Sequence, residues 1–366
     1  MRTRNKVLLG GLAAGTVAAG AAVGLGAAFA GRLLFEQVRQ WRSHGWDTPG
    51  VGGEDLRNQT VLITGSSRGL GLAMAEEFAR HGCKLVLCAR DEQELSRARD
   101  QVSRHGGEVR TFACDVRNQQ EVETAIAGAR REFGRIDVLV NNAGVISVGP
   151  LLTQTLDDFK EAMDVMFWGT VYPTLAVVPE MVKRGDGRIV NITSIGGKVS
   201  VPHLVPYGCA KFAAVGFSEG LYAELKRYGV HVLTVVPGLM RTGSHLNAQF
   251  KGKHEKEYGW FALSGTNPLF SISVERAARQ IVNATRRKRP ELAISWQAEL
   301  MARAHGAAPE LTLRALALVN QLLPDAEGAS SQKKPGKDSQ SAVTRSPLTA
   351  LGERAARRYN QTGETA

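Results

Sequence analysis

The chain has little cysteine. Its four residues of that type (Cys83, Cys88, Cys114 and Cys209) form no C-x-x-C pair and stand beside no histidine-rich spacing. This excludes a structural zinc site and a disulfide framework, and leaves free, buried thiols suited to a reducing compartment. His254-Glu255 lacks the H-E-x-x-H spacing, so no metal is assigned. A basic stripe in the interior is missing too, although the net charge is +11. Residues 1–45 hold six basic residues against one acid, while residues 46–324 are almost balanced, at 33 basic and 29 acidic. That excludes a nucleic-acid-binding core. The exception is Arg286-Arg287-Lys288-Arg289, expected as a solvated helix end before Pro290, with an anionic-lipid contact as the alternative. At 43% hydrophobic and 22% charged, the chain is neither disordered nor collagen-like.

The longest run free of charge lies near the N-terminus. Residues 7–31 follow Arg2, Arg4 and Lys6, are rich in Gly and Ala, and are long enough to span a bilayer. They read as an uncleaved signal-anchor helix after a basic N-terminus (1–6) and before a juxtamembrane linker (32–55). Ala28-Phe29-Ala30 also fits a signal-peptide cleavage site. Basic residues flank both ends of the run, so orientation stays open.

From Thr60 onward short apolar runs alternate with helical stretches. Strands are expected at 60–64, 84–88, 109–113, 138–141, 188–192, 231–236 and 292–296. Helices are expected at 70–81, 92–104, 119–133, 156–183, 206–228 and 274–287. Continuous rather than alternating apolar runs mark strands buried on both faces. The pattern predicts one α/β domain over 56–296, a doubly wound (Rossmann) fold with a seven-stranded parallel sheet. The polar stretch 241–271 reads as a long functional loop. Two further helices, 297–305 and 309–323, form a C-terminal extension through 324. Residues 325–366 read as mostly disordered, with a short helix near 348–358.

Between the first strand and first helix stand Thr64-Gly65-Ser66-Ser67-Arg68-Gly69-Leu70-Gly71. Glycines there permit a tight turn and let a pyrophosphate approach the helix N-terminus. After the second strand comes Ala89-Arg90 rather than a carboxylate. Arg68 and Arg90 therefore favour a ribose 2′-phosphate, hence NADP(H) over NAD(H). Ser194, Tyr207 and Lys211 form S-x12-Y-x3-K. Tyr207 and Lys211 share a helix face, and the ammonium is expected to lower the phenol's pKa. The phenol then exchanges a proton with a carbonyl or carbinol oxygen, to which Ser194 also hydrogen-bonds.

Together these residues resemble the short-chain dehydrogenase/reductase family over about 56–296. The T-G-x-x-x-G-x-G turn, Asp115-Val116, Asn141-Asn142-Ala143-Gly144, Ser194/Tyr207/Lys211 and Pro237-Gly238 with Thr242 occur in order and in register. The resemblance implies a hydride transfer between NADP(H) and a carbonyl or alcohol, with Tyr207 as acid or base. It implies that Thr64, Gly65, Ser67, Arg68, Gly69, Leu70, Gly71 and Arg90 hold the dinucleotide, and that Asp115 and Val116 meet adenine. It further implies that Asn141, Ala143 and Gly144 line the cofactor. Tyr207 and Lys211 would hold the nicotinamide ribose, and Thr242 with Pro237, Gly238 and Met240 the carboxamide. Pairing of the two long helices into a homodimer or homotetramer is implied as well.

One departure is Met166, where the family has an asparagine; methionine is a poor hydrogen-bond partner. The apolar residues of 196–205 and Leu239, Met240, Leu246, Phe250, Trp260 and Phe261 suggest a lipophilic substrate. Together with the anchor they suggest a membrane-anchored enzyme with a cytoplasmic catalytic domain. Arg241, His245, Lys251, Lys253, His254 and Lys256 are expected on a solvated lid, with an anionic substrate group as the alternative. Cys209 is expected as a small packing residue. The rival reading is a catalytically silent NADP-binding sensor or scaffold.

Overall fold

The computed structural model describes residues 53–362 except 269, 329, 342–343 and 345–348. The expected anchor at 7–31 and most of its linker lie outside the described residues. The main sheet holds seven parallel strands: β1 (Thr60–Thr64), β2 (Lys84–Ala89), β3 (Val109–Ala113), β4 (Val138–Asn141), β6 (Gly187–Ile192), β7 (Val230–Pro237) and β11 (Glu291–Ile294). Their order is β11-β7-β6-β4-β1-β2-β3. The chain thus reverses direction between β1 and β4, the switch point at which doubly wound sheets bind ligands. Trp296, expected to end the last strand, instead opens a helix, because β11 stops at Ile294 and the Ser295 side chain caps the helix from Trp296.

Strand residues alternate between two separate cores. Val61, Ile63, Leu85 and Leu87 pack on one face against helices α1 (Gly69–Arg80), α2 (Glu92–Ser103) and α8 (Val274–Arg286). Leu62, Val86 and Cys88 pack on the other against α3 (Gln119–Phe133), α5 (Gly169–Arg184) and α6 (Val205–Leu225). This two-sided burial explains the unbroken apolar runs.

The expected helix 156–183 is interrupted: α4 (Leu156–Met163) and α5 flank a π-helical turn, Asp164–Trp168. The stretch 156–184 is long and apolar enough to cross a membrane, yet half of its most apolar window is buried in the fold, as in a core helix.

The polar stretch 241–271 is not an open loop. It contains β9 (Gln249–Gly252), α7 (His254–Thr266) and the start of β10 (Ser271–Ser273), the last paired with β8 (Leu239–Arg241). β9 pairs with both β5 (Ser147–Val148) and β12 (Ser330–Pro335). So among the described residues beyond 325 there is regular structure: β12 and α11 (Ala350–Arg358) pack on the domain. Helix α9 (Trp296–Ala307) buries only Ala298, and α10 (Pro309–Asn320) buries no residue. The run 286–289 is anchored rather than free, since Lys288 pairs with Glu54 and Arg286 Nε donates to Glu54 O at 3.1 Å.

Candidate active site

Gly65 (φ 61°) and Gly69 (φ 59°) take the left-handed conformation that glycine adopts without strain. A Cβ on Gly71 would lie 2.2 Å from Gly65 O, and one on Gly65 would lie 2.8 Å from Ala143 Cα. The turn is clamped from β4: Asn142 Nδ2 donates to Thr64 O (3.0 Å) and Gly65 O (2.9 Å). Thr64 Oγ1 accepts from the amides of Asn142 (3.0 Å) and Ala143 (3.2 Å). Turn and N-N-A-G segment therefore form one unit at the switch point, with the α1 N-terminus facing it. Such an arrangement fits a pyrophosphate.

Beside the turn, Ser67 Oγ donates to Glu94 Oε2 (2.9 Å) and Arg68 Nη1 to Glu94 Oε1 (3.0 Å). The absence of a carboxylate here, read from residues 89–90, is corrected: Glu94 arrives one helical turn later, in the first turn of α2. Its local signal was Asp91, whose side chain caps the Glu94 amide at 2.8 Å. Arg90 is exposed and has no ion pair among the described residues. Burial pushes the Asp115 carboxyl up, but Arg117 outweighs it and holds the group below its ordinary value.

Ser194 follows β6 and accepts the Gly196 amide at 2.9 Å. It lies close to Tyr207, in the first turn of α6: a Cβ built on Gly196 would stand 3.4 Å from Ser194 Oγ and 3.0 Å from Tyr207 Cε1. Lys211 stands one turn on, buried, and its Nζ donates to Ile192 O at 2.8 Å. Burial lowers the Lys211 ammonium to a pKa of about 8. The phenol itself is raised, because burial outweighs the lowering influence of nearby Ser194. Lys211 Nζ sits over the Tyr207 ring, 5.8 Å from its centroid. The expected lowering of the phenol is therefore not found. Cys209, between these two on the helix, is exposed rather than packed.

The Asn141 side chain joins a buried polar chain. Its Nδ2 donates to Thr174 Oγ1 (3.0 Å) and Asn191 Oδ1 (2.9 Å). Asn191 Nδ2 in turn donates to Ser218 Oγ (2.9 Å), which meets Thr234 Oγ1 at 2.7 Å. Met166 lies in the π-helical turn and is 1% exposed, packed with Val116, Val165, Ala210 and Tyr207. Its sulfur would be 3.9 Å from a Cβ on Gly144.

After β7, Pro237 ends the strand and the Gly238 amide donates to Ile294 O at 3.0 Å. Met240 packs on the main core and Thr242 is buried, its Oγ1 accepting the Ser244 amide at 3.2 Å. The lid's cations are mostly engaged. Lys251 is buried and paired with Asp158, which Lys333 also meets at 3.0 Å. Arg241 bonds Ser271, Lys253 pairs with Asp325 at 2.6 Å, and His254 meets Ser339. His245 is buried and lowered to about 4 by burial. The expectation of a wholly solvated lid is corrected on these residues, and they offer little to an anionic substrate. His203 and Glu257, unremarked in the sequence, form a buried pair at 2.9 Å that ties α7 to the loop before Tyr207. Also unforeseen are Tyr359, Asn360 and Gln361, which lie against the glycine turn. They had no signal in the sequence beyond the short helix before them.

Residues 59–251 match the family model described as short chain dehydrogenase. Among curated relatives, oxidoreductase UcpA of Salmonella typhimurium is 39% identical over 188 residues, 51% of this chain and 71% of that protein. The zebrafish (Danio rerio) dehydrogenase/reductase SDR family member 7B is 35% identical over 200 residues, 53% of this chain and 65% of that protein. Among solved structures, L-sorbose reductase from Gluconobacter frateurii, complexed with NADPH and L-sorbose, superposes with a TM-score of 0.59 at 27% identity. That match covers 66% of this chain and 97% of that one. A doubly wound sheet, a glycine turn at its switch point and a Ser–Tyr–Lys cluster beyond β6 accompany these matches: the chain belongs to the short-chain dehydrogenase family of oxidoreductases.

Proposed function

We propose that the chain transfers a hydride between NADP(H) and a lipophilic carbonyl or alcohol, with Ser194, Tyr207 and Lys211 handling the proton. The observation that carries this reading is the juxtaposition of Ser194 and Tyr207 around Gly196, with buried Lys211 one turn further along α6. A bound nicotinamide dinucleotide supplies the hydride donor or acceptor. Ser194 holds the substrate oxygen, and Tyr207 gives that oxygen a proton in reduction or takes one in oxidation. Lys211 is charged at neutral pH, even with a pKa of about 8, and adds positive potential beneath the phenol ring. The nucleotide would be held by the turn 64–71, Arg90, Asp115, Val116, Ala143, Gly144 and the backbone from Pro237 to Thr242.

Preference for NADP(H) rests on Arg68 and Arg90. Arg68 is divided with Glu94, but Arg90 remains open to a 2′-phosphate. Lipophilicity of the substrate rests on the apolar lining of the lid, where Ile146, Leu204, Trp260 and Phe261 pack at its edge. Anchoring through residues 7–31, with the catalytic domain in the cytoplasm, belongs to the same proposal. So does pairing through α5 and α6, where Leu175 (58% exposed) and Phe212 (42% exposed) face outward.

The test is oxidation of NADPH and of NADH by the detergent-solubilised full chain against lipophilic ketones, aldehydes and quinones. Turnover with NADPH on one class is expected. Equal or better turnover with NADH would overturn the cofactor preference. One observation favours a second reading, a catalytically weak or silent NADP-binding protein: buried Met166 puts no polar side chain where the family has asparagine. Tight NADPH binding without turnover on any substrate would favour it.

A further inference from the structure

The glycine turn already has an occupant within this chain. The Gly69 amide, at the start of α1, donates to Tyr359 O at 2.9 Å. Asn360 Nδ2 donates to Ser67 O (2.9 Å) and Glu94 O (3.3 Å), while its Oδ1 accepts from Arg97 Nε (3.0 Å). Gln361 Nε2 stands 2.7 Å from where a Gly69 Cβ would be. From the lid side, Asn247 Nδ2 donates to Gln361 O at 2.9 Å. Upstream, the Tyr359 hydroxyl donates to Glu275 Oε1 at 3.1 Å, and Ala356 sits within 2.4 Å of a Cβ built on Gly243. Ala356, Tyr359, Asn360 and Gln361 are all at least 90% buried. The segment therefore runs from the lid, across the mouth of the switch point, to α2.

These contacts fall where a pyrophosphate would take its backbone hydrogen bonds, on the turn and the first amides of α1. One amide cannot serve Tyr359 O and a phosphate oxygen together. The ring of Tyr359 is packed into the main core beside α1 and α8, so the segment is seated and not merely passing.

We propose that residues 350–361 are a strap that competes with the dinucleotide for the glycine turn and must leave before the cofactor can bind. This rests on the reading of that turn as a dinucleotide site. A strap closed nine times in ten lowers apparent affinity about tenfold. Asn360 also sits at φ 57°, which alanine adopts at a cost, so Asn360→Ala loses side-chain bonds and the preferred backbone together.

The test is calorimetric titration of NADPH into three proteins: the full chain, a chain ending at Thr349, and full-length Asn360→Ala. Hydrogen exchange of residues 350–361 is followed with and without NADPH. The shortened chain is expected to bind about tenfold more tightly than the full chain. Asn360→Ala should fall between, and NADPH should raise exchange in the strap of the full chain. Equal affinity in all three, or weaker binding without the strap, would overturn the inference while leaving the dinucleotide reading intact. Absence of binding in all three would overturn that reading and the inference with it. Should the shortened chain not fold, Asn360→Ala and the exchange measurement decide alone.

Discussion

In residues 60–141, β1 and β2 send their side chains alternately into two apolar cores, and few buried charges interrupt them. Between 238 and 361 the picture reverses. There β9, β12 and α7 are fastened by Lys251–Asp158–Lys333 and His203–Glu257, and the strap is seated by backbone and amide hydrogen bonds. Apolar burial is distributed over many contacts, and no single atom carries it. A buried ion pair concentrates its effect: it adds little over an apolar replacement, yet leaving one partner alone is costly. The early region should therefore fail gradually, and the late region at single residues.

The largest expected effect lies at the seam between the two. Tyr207→Phe should lower turnover by a factor of about 10²–10⁴ while leaving dinucleotide affinity nearly unchanged. Steady-state rates beside an NADPH titration check this, and a variant with ordinary turnover would remove Tyr207 from the proton's path.

Asp158→Ala should cost about 3–5 kcal/mol, because it strands buried Lys251. Replacing Asp158 and Lys251 together by apolar residues should recover most of it. In the early region Leu62→Ala should cost about 2–5 kcal/mol with no such rescue by a partner. Urea unfolding of the four proteins measures both. If Asp158→Ala costs under about 1 kcal/mol, the contrast between the regions fails.

Acid should act on the late region first. His245 in the folded chain has a pKa of about 4, below its ordinary 6.5, so between these values the unfolded state binds more protons. Stability then falls as pH drops from about 6.5 to about 4, by on the order of 3 kcal/mol. Asp158, lowered to about 2 by Lys251, Thr155 and Lys333 against the upward push of burial, adds its loss only below its ordinary 3.8. A His245→Gln variant should flatten the upper window and leave the lower one in place. Denaturant midpoints across pH 4 to 7 that coincide for both proteins would show His245 to be protonated in the fold.

The smallest effect concerns Met166. Met166→Asn should raise turnover by about tenfold or less, equivalent to at most about 1.4 kcal/mol of barrier. A fall in turnover would show the methionine to be needed for packing around Tyr207.

What could be read without a structure was whatever depends on near neighbours in the chain. Strands β1, β3 and β4 begin and end where their apolar runs do, and α3 spans Gln119–Phe133 as its pattern requires. The glycine turn and the Tyr207–Lys211 pair were visible because each lies within a few residues of sequence. The π-helical break at Asp164–Trp168, the carboxylate of Glu94 beside Arg68, and the burial of Lys251 were not. Each depends on a partner supplied by another element.

The strap marks that division most sharply. Local composition after 325 is polar and weakly patterned, and by itself offers no core. Only once the sheet, lid and α8 are in place do Tyr359 and Asn360 find an apolar seat and backbone partners almost 300 residues away. The amino-acid sequence alone determined the layered fold and the spacing of Tyr207 and Lys211 on one helix, since both follow from periodicity and short-range spacing. Tertiary structure alone decided which charges are buried, where the phenol's pKa lies, and what rests on the glycine turn, because desolvation and long-range contact do not exist until the chain has folded.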